Sequence, residues 1–466
     1  MNVAISGVIA LGMDKSSEQG LTRSLAAYVA GSQIDDIPSP VLHEASRAFV
    51  NWLGCALGGC RDESVDIVLA TLEDMEGAAR ATVIGHGRRT DPAHAALLNC
   101  LSSSVLGFDD THPRTIIHPT GPVAAALMAV AEVRPTTGAE FLHALVLGIE
   151  LECRLGNALI PPPAASKLSF LPTGLTGAIG AASAVGKLLG LDPRAMSSAI
   201  GIAAGSAGGI RESIGSMAAP YFLAAAARNG LVAALLAAKG MTAGESTLEG
   251  PKGFLEAYGA PANERVVLED LGKRYELSTN TYKPYPCGAW VHATVDVCLE
   301  LARRHDIDPS EIESVRLRVN PRALAIAGRM DPRDRVEAQA SLFHWAAAAL
   351  VRRRAGLAEA SDDCVRDALV TALRGRIAAQ GDPDCAVEAA SAEIALKGGQ
   401  ELRGRVSHCL GSLAQPLSDD DLSRKFLVQA CAVLPEDRAQ YLLRQGWAIG
   451  QLDDVGQLAR DAGASG

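Results

Sequence analysis

Between residues 21 and 260, apolar side chains recur at helical spacing in one segment after another. Ser39 followed by Pro40 reads as a helix start: a capping residue, then a proline where a missing N–H does no harm. Behind it, Leu42, Ala45, Phe49, Trp52 and Leu53 fall on one face of a helix predicted over 41–57. Ala-rich helices are predicted over 92–106 and 122–133, and another over 141–155. Segments 173–190 and 197–209 are dense in Gly and Ala, side chains small enough to let helices approach backbone to backbone. A long helix over 221–240 ends at Gly240.

The texture changes near residue 260. Residues 313–320 alternate apolar and polar, as a half-buried strand does. Residues 387–396 have weaker strand character, and Lys397-Gly398-Gly399 separates them from 401–406 as a hairpin turn. Helices are predicted over 289–305 and 336–352, and the helical pattern returns from Ser418 to the end. The expected fold is mainly α. A large all-helical domain is built from both chain ends (21–268 and 411–466), with an inserted smaller α+β lid domain (269–410) and a loose N-terminal tail (1–20).

Composition narrows the class. A chain of 466 residues buries a core without needing a disulfide or metal staple. With 43 Lys+Arg against 53 Asp+Glu, the net charge of −10 offers no positive field for nucleic acid or an anionic membrane. A few local cations would still hold a small anion. The ten cysteines are scattered with no C-x-x-C, which suits reduced thiols and a cytoplasmic location. The first residues lack a basic n-region, and no run of about 18 apolar residues occurs, so neither a signal peptide nor a membrane span is expected.

Three polar clusters carry candidate chemistry. The first lies between two apolar helices and holds Asp109, Asp110, Thr111, His112, Thr115 and His118, enough for acid/base work. The competing reading is a polar loop whose Asp and Thr cap the next helix. A metal is disfavoured, since no further His or Glu stands nearby at helical spacing. In the second, two prolines stiffen the run from Thr281 to Cys287 and hold Lys283 between Tyr282 and Tyr285. A lysine fixed in this way can anchor a carboxylate, and a plain proline-rich crossing with a solvated lysine is the alternative. The third is the Gly-rich turn over 205–217 with Arg211, which could cradle an anion. It matches no phosphate-binding motif, so tight helix packing is the favoured reading. No H-E-x-x-H occurs, and Arg211-Glu212-Ser213-Ile214-Gly215 lacks the first glycine of G-x-S-x-G.

Taken together, several pieces resemble the 2-methylcitrate dehydratase, or MmgE/PrpD, family over roughly residues 21–455. They are F-V-N-W-L-G-C-A-L-G-G at 49–59, A-A-L-L-N with the following G-F-D-D-T-H and H-P-T-G, and A-A-A-R-N-G-L-V-A-A-L-L-A-A-K-G with L-E-G-P-K-G-F. Y-K-P-Y-P-C at 282–287 and the late P-L-S and L-S-R-K-F complete the set. The family includes 2-methylcitrate dehydratases, cis-aconitate decarboxylases and iminodisuccinate epimerases. The resemblance implies a helical domain with an α+β lid, a cleft between them, a homodimer, and no cofactor or metal. It also implies a small carboxylate substrate on which a proton moves next to a carboxylate.

By analogy, His118 is the acid/base and Lys283 holds a carboxylate or developing charge, with Asp109 or Asp110 and Thr111 orienting them. Asp110, His112, Arg211 and Tyr285 are further candidates for substrate contact. The chain departs from the family pattern at Gly107, where many members carry Asp. It departs again at Leu171 and Phe222 (His in many) and at Ala219 (Lys in many). Losing cations that pair with buried carboxylates weakens binding of a tricarboxylate unless Arg211 or Lys167 substitutes. The expected activity is therefore a hydro-lyase dehydration on an acid less charged than 2-methylcitrate. Epimerisation and decarboxylation are alternatives, the latter disfavoured by the missing Lys and His. A non-catalytic homodimeric binding protein is a further one.

Overall fold

The computed structural model describes residues 20–75, 77–160, 169–259 and 264–463. The expected N-terminal tail, Gly20 apart, and Lys167 lie outside the described residues. Of the described residues 59% are helical, in keeping with the mainly-α expectation.

Among the described residues nine helices order the first half: α1 (Leu21–Gly31), α2 (Ser39–Gly59), α3 (Glu63–Glu73), α4 (Pro92–Ser104), α5 (Thr120–Ala131), α6 (Gly138–Leu159), α7 (Pro172–Leu188), α8 (Pro193–Gly205) and α9 (Ala218–Ala238). Their starts have local causes. Asp62, Asp91, Thr137 and Asp192 accept hydrogen bonds from otherwise orphaned N–H groups at the starts of α3, α4, α6 and α8. Prolines occupy the first turn of α2, α4, α7 and α8. Small residues bring the central helices close. A Cβ on Gly148 of α6 would stand 2.7 Å from the Gly180 carbonyl of α7, and one on Gly230 of α9 would collide with the Ala178 carbonyl. By length and composition α9 is apolar enough to cross a membrane; here it packs against α4, α5, α7 and α8.

One apolar core unites the two chain ends. It holds Phe49 and Trp52 of α2 and Leu97 and Leu101 of α4 together with Phe426, Leu442 and Leu458. Those last three come from the helices Asp419–Ala430, Glu436–Trp447 and Val455–Gly463. Within this half the helical reading passes over a hairpin, β1 (Ala81–Val83) and β2 (Arg88–Thr90). Its three-residue strands are too short to show a period, and its turn uses Gly85 and Gly87 at φ 74° and 64°.

A second core lies within 287–409. The helices His292–Arg304 and Leu342–Arg352 pack on a four-stranded sheet of β5 (Ile312–Val319), β6 (Ile377–Gly381), β7 (Ala390–Leu396) and β8 (Glu401–Val406), in the order β6-β5-β7-β8. β5 runs parallel to β6 and antiparallel to β7. Edge strand β6 buries only Ile377 and so shows no alternation in sequence. The helix expected over 336–352 is broken. Arg335–Ala338 ends, and Ser341 caps a new start by accepting from the His344 N–H at 3.1 Å.

The shortest sheet among the described residues is β3 (Asp110–Thr111) antiparallel to β4 (Thr281–Tyr282), whose Tyr282 is part of the first core. It joins two of the three polar clusters.

Candidate active site

The β3–β4 register pairs Asp110 with Tyr282 and Thr111 with Thr281. Antiparallel pairing carried one step further sets Lys283 opposite Asp109. Lys283 Nζ donates to Asp109 Oδ1, and both side chains are buried. Burial pushes the Asp109 carboxyl up, but the charges of His118 and Lys283 and the Lys283 hydrogen bond outweigh it and hold it below the ordinary value.

His118 reaches the same spot from the segment between β3 and α5. Its backbone N–H donates to Thr173 Oγ1 of α7 at 2.9 Å. Its Nδ1 lies 2.7 Å from the Asp110 carbonyl oxygen, 3.2 Å from Thr111 Oγ1 and 3.6 Å from Asp109 Oδ1. A carbonyl oxygen only accepts, so Nδ1 carries the hydrogen and Nε2 keeps the basic lone pair. Burial, with the Lys283 charge added, lowers the imidazole below its usual value against the pull of Asp109.

These groups line a cavity of about 250 Å³, with Asp109, Thr111, His118, Thr173 and Lys283 all among its lining residues. The rest of its wall is largely hydrocarbon, from Ile116, Leu171, Leu223, Trp290, Ile326 and Val336. Arg211 also lines it, in the turn after α8, and burial lowers its guanidinium. That turn both packs and lines: a Cβ on Gly174 would meet the Gly208 carbonyl, while Ile214 and Met217 face the cavity. Arg335 lies at the cavity edge, paired with Asp62 and donating to the Val105 carbonyl at 3.2 Å.

Three candidates for substrate contact sit elsewhere. Asp110 accepts from Thr120 Oγ1 at 2.5 Å and Asn280 Nδ2 at 2.7 Å, and is not among the lining residues. Its carboxyl pins the loop, while its main-chain carbonyl orients His118. His112 is buried, with Nε2 3.2 Å from Glu276 Oε2 and Nδ1 2.7 Å from Thr115 Oγ1. The tyrosine hydroxyl of Tyr285 donates to Asp296 Oδ1 at 2.5 Å, away from the cavity. The aromatic that does line the cavity is Trp290 of the same sequence cluster.

Lys425 is a group that the sequence alone does not place at the site. It comes from the helix Asp419–Ala430, its Nζ donating to the Phe108 carbonyl at 2.6 Å and to Asn51 Oδ1 at 2.7 Å. The ammonium lies 4.1 Å from the Phe108 ring centroid. Burial brings it down to about 8, with Lys283 repelling it further. It stiffens the turn just before Asp109 from below. The only sequence signal was its place in L-S-R-K-F, more than 300 residues away.

The substituted positions are also built in. Gly107 has φ 59°, and a Cβ there would stand 2.9 Å from Gln339 Oε1, so glutamine occupies that space. Gln339 Nε2 donates to the Val105 carbonyl at 2.8 Å. Leu171 and Ala219 line the cavity, and Phe222 packs by Gly209. Among the described residues no cluster of three His, Cys, Asp or Glu is disposed to hold a metal ion.

The chain matches the MmgE/PrpD N-terminal domain over residues 23–265 and the C-terminal domain over 285–449. It is 28% identical to the cis-aconitate decarboxylase of Aspergillus terreus, over 96% of each chain. It is 26% identical to that of Homo sapiens, over 94% of each. It is 30% identical to the cis-aconitate decarboxylase-like protein oryM of Aspergillus oryzae, over 63% of this chain and 64% of that one. With both domains matched in order along most of its length, the chain belongs to the MmgE/PrpD family.

Proposed function

We propose that this protein is a lyase that moves a proton at the carbon next to a carboxylate of a small organic acid, with His118 as the proton-transfer group. One observation carries the reading. Nδ1 of His118 is tied to the Asp110 carbonyl, which leaves Nε2 as a base beside Lys283 in a partly enclosed cavity. Deprotonating that carbon drives charge onto the carboxylate oxygens. Lys283, Thr111 and Thr173 face the same space and stabilise that charge.

Dehydration uses the base directly. The C–H bond breaks to Nε2, its electron pair becomes the new C=C bond, and the β C–O bond breaks. The departing hydroxide takes the proton back from the imidazolium and leaves as water. A second reading, decarboxylation, is favoured by relatives named cis-aconitate decarboxylases. There the pair of the breaking C–C bond becomes the new C=C, the old double bond takes a proton from charged His118, and CO2 departs. Wall residues Leu171 and Ala219 carry no charge, Asp109 offsets Lys283 and Asp62 offsets Arg335, so that Arg211 is the one further cation lining the cavity among the described residues. The substrate is accordingly an acid less charged than 2-methylcitrate. We also propose a homodimer, using the exposed apolar side chains Val232 and Leu235 of α9; light scattering at micromolar concentration tests it.

Proton NMR in deuterated water tests the activity. Wild type and His118→Ala are incubated with 2-methylcitrate, cis-aconitate, iminodisuccinate and simple hydroxy acids. A product or α-proton exchange that only wild type gives supports the reading, and its identity selects the bond that breaks. Equal conversion by His118→Ala would overturn it.

A further inference from the structure

Ile116 has a backbone φ of 61°. In this left-handed region a β-branched side chain crowds its own backbone, and Gly or Asn is the usual occupant. Such a conformation persists only where neighbouring bonds enforce it. Here they do. The His112 N–H donates to the Ile117 carbonyl at 2.8 Å, and the Ile116 and Thr115 N–H groups both donate to the His112 carbonyl, at 2.8 and 3.2 Å. The imidazole of His112 is itself clamped between Glu276 and Thr115. Ile117 and Thr115 press on α6, where a Cβ on Gly156 would find no room. The turn is therefore fixed on both sides of Ile116, whose half-buried side chain faces the cavity two residues before His118.

A residue without a branched side chain would relieve the backbone at this position, yet the chain carries isoleucine. The wall of the same cavity carries further hydrocarbon from Leu171, Leu223 and Trp290. We propose that Ile116 is a specificity-determining residue, held in the left-handed conformation so that its side chain forms an apolar wall beside His118 that selects acids with an alkyl substituent near the reacting carbon. The inference rests on the site proposed above as the place where a carboxylate binds, but it does not need that site to turn over. The clamp explains what His112 does: it shapes the wall from behind rather than touching substrate.

Binding of two probes, succinate and 2-butylsuccinate, to wild type, Ile116→Asn, Ile116→Val and His118→Ala by titration calorimetry tests this, with thermal unfolding of each variant. Wild type should prefer the butyl probe by about tenfold or more, since each buried methylene adds to affinity. Ile116→Asn should bring the two affinities close to each other by weakening the butyl probe alone, while unfolding no earlier than wild type. Ile116→Val, which keeps the branch and most of the hydrocarbon, should keep most of the preference. An unchanged preference in Ile116→Asn overturns the inference, as does failure of wild type to bind either probe. So does a fall in the Ile116→Asn midpoint well below that of Ile116→Val, since the side chain would then serve the fold. If His118→Ala keeps the preference and no acid is converted by wild type, the lyase reading fails and the inference about Ile116 stands.

Discussion

His118 Nδ1 and the main-chain carbonyl oxygen of Asp110 lie 2.7 Å apart, and that contact decides which ring nitrogen is basic. The imidazole is lowered from its usual 6.5 by burial first and by Lys283. The neutral imidazole is therefore favoured at pH 7. If Nε2 acts as a base, kcat/KM should be flat near pH 7 and fall as pH drops through the lowered value. If decarboxylation requires the imidazolium, kcat/KM should instead fall as pH rises. His118→Gln should lose about 10²–10⁴ in kcat while its thermal midpoint stays near wild type. A variant retaining more than a tenth of the rate would remove His118 from the reaction.

Asp109 and Lys283 face each other across the β3–β4 register, both buried. Lys283→Met leaves a buried carboxylate unpaired, at a cost of about 3–5 kcal/mol. Adding Asp109→Asn should restore most of that stability without restoring turnover, because the cation is still missing. Urea unfolding of the two singles and the double measures the coupling. Simple additivity of the two losses would mean that the pair does not act as a unit.

Much of this arrangement was legible in the sequence, and its limits have physical causes. Long amphipathic or Ala-rich stretches such as those behind Pro40 and Pro92 announce helices, and the alternation in 313–320 announces β5 (Ile312–Val319). Asp109, Thr111, His118 and Lys283 stood out by residue type, and they share one cavity. Their joining could not be read, because β3 and β4 are two residues each and a pair that short has no period. Asp110, His112 and Tyr285 look as functional as their neighbours. Which side chain faces a cavity depends on partners far away in sequence: Asn280, Glu276 and Asp296. For the same reason Lys425 is silent until the helix Asp419–Ala430 docks against Phe108. Nothing in the letters I-I-H reveals that the first isoleucine has a positive φ.

Glu276 links the His112 clamp to acid stability. Burial raises its carboxyl, but the hydrogen bonds of His112 and Asn157 and the charges of His112 and Arg274 bring it from 4.5 to about 2. The folded-state value lies below the unfolded one, so the stabilisation is present above about pH 4.5 and is lost as pH falls toward 2. A shift of that size corresponds to about 3 kcal/mol. Glu276→Gln should be less stable than wild type at pH 6, and the gap should close between pH 4.5 and 2. A gap that is constant with pH would show that the loss is one of packing alone.

Glu152 has the opposite sign. It is fully buried in α6, and neither carboxyl oxygen has a hydrogen-bond partner among the described residues. Burial, with Asp110 adding to it, raises its carboxyl well above 4.5. The folded protein therefore keeps a proton that the unfolded chain releases, and the protein loses stability as pH rises from 4.5 toward the raised value. Glu152→Met fills a similar volume without the unsatisfied oxygens. It should stabilise the fold by about 1–3 kcal/mol. The gain should be larger at pH 8 than at pH 4.5, because only at the higher pH does unfolding release the proton. Urea titrations at the two pH values decide it. A variant less stable than wild type, with a gap indifferent to pH, would mean that the carboxyl is satisfied in solution.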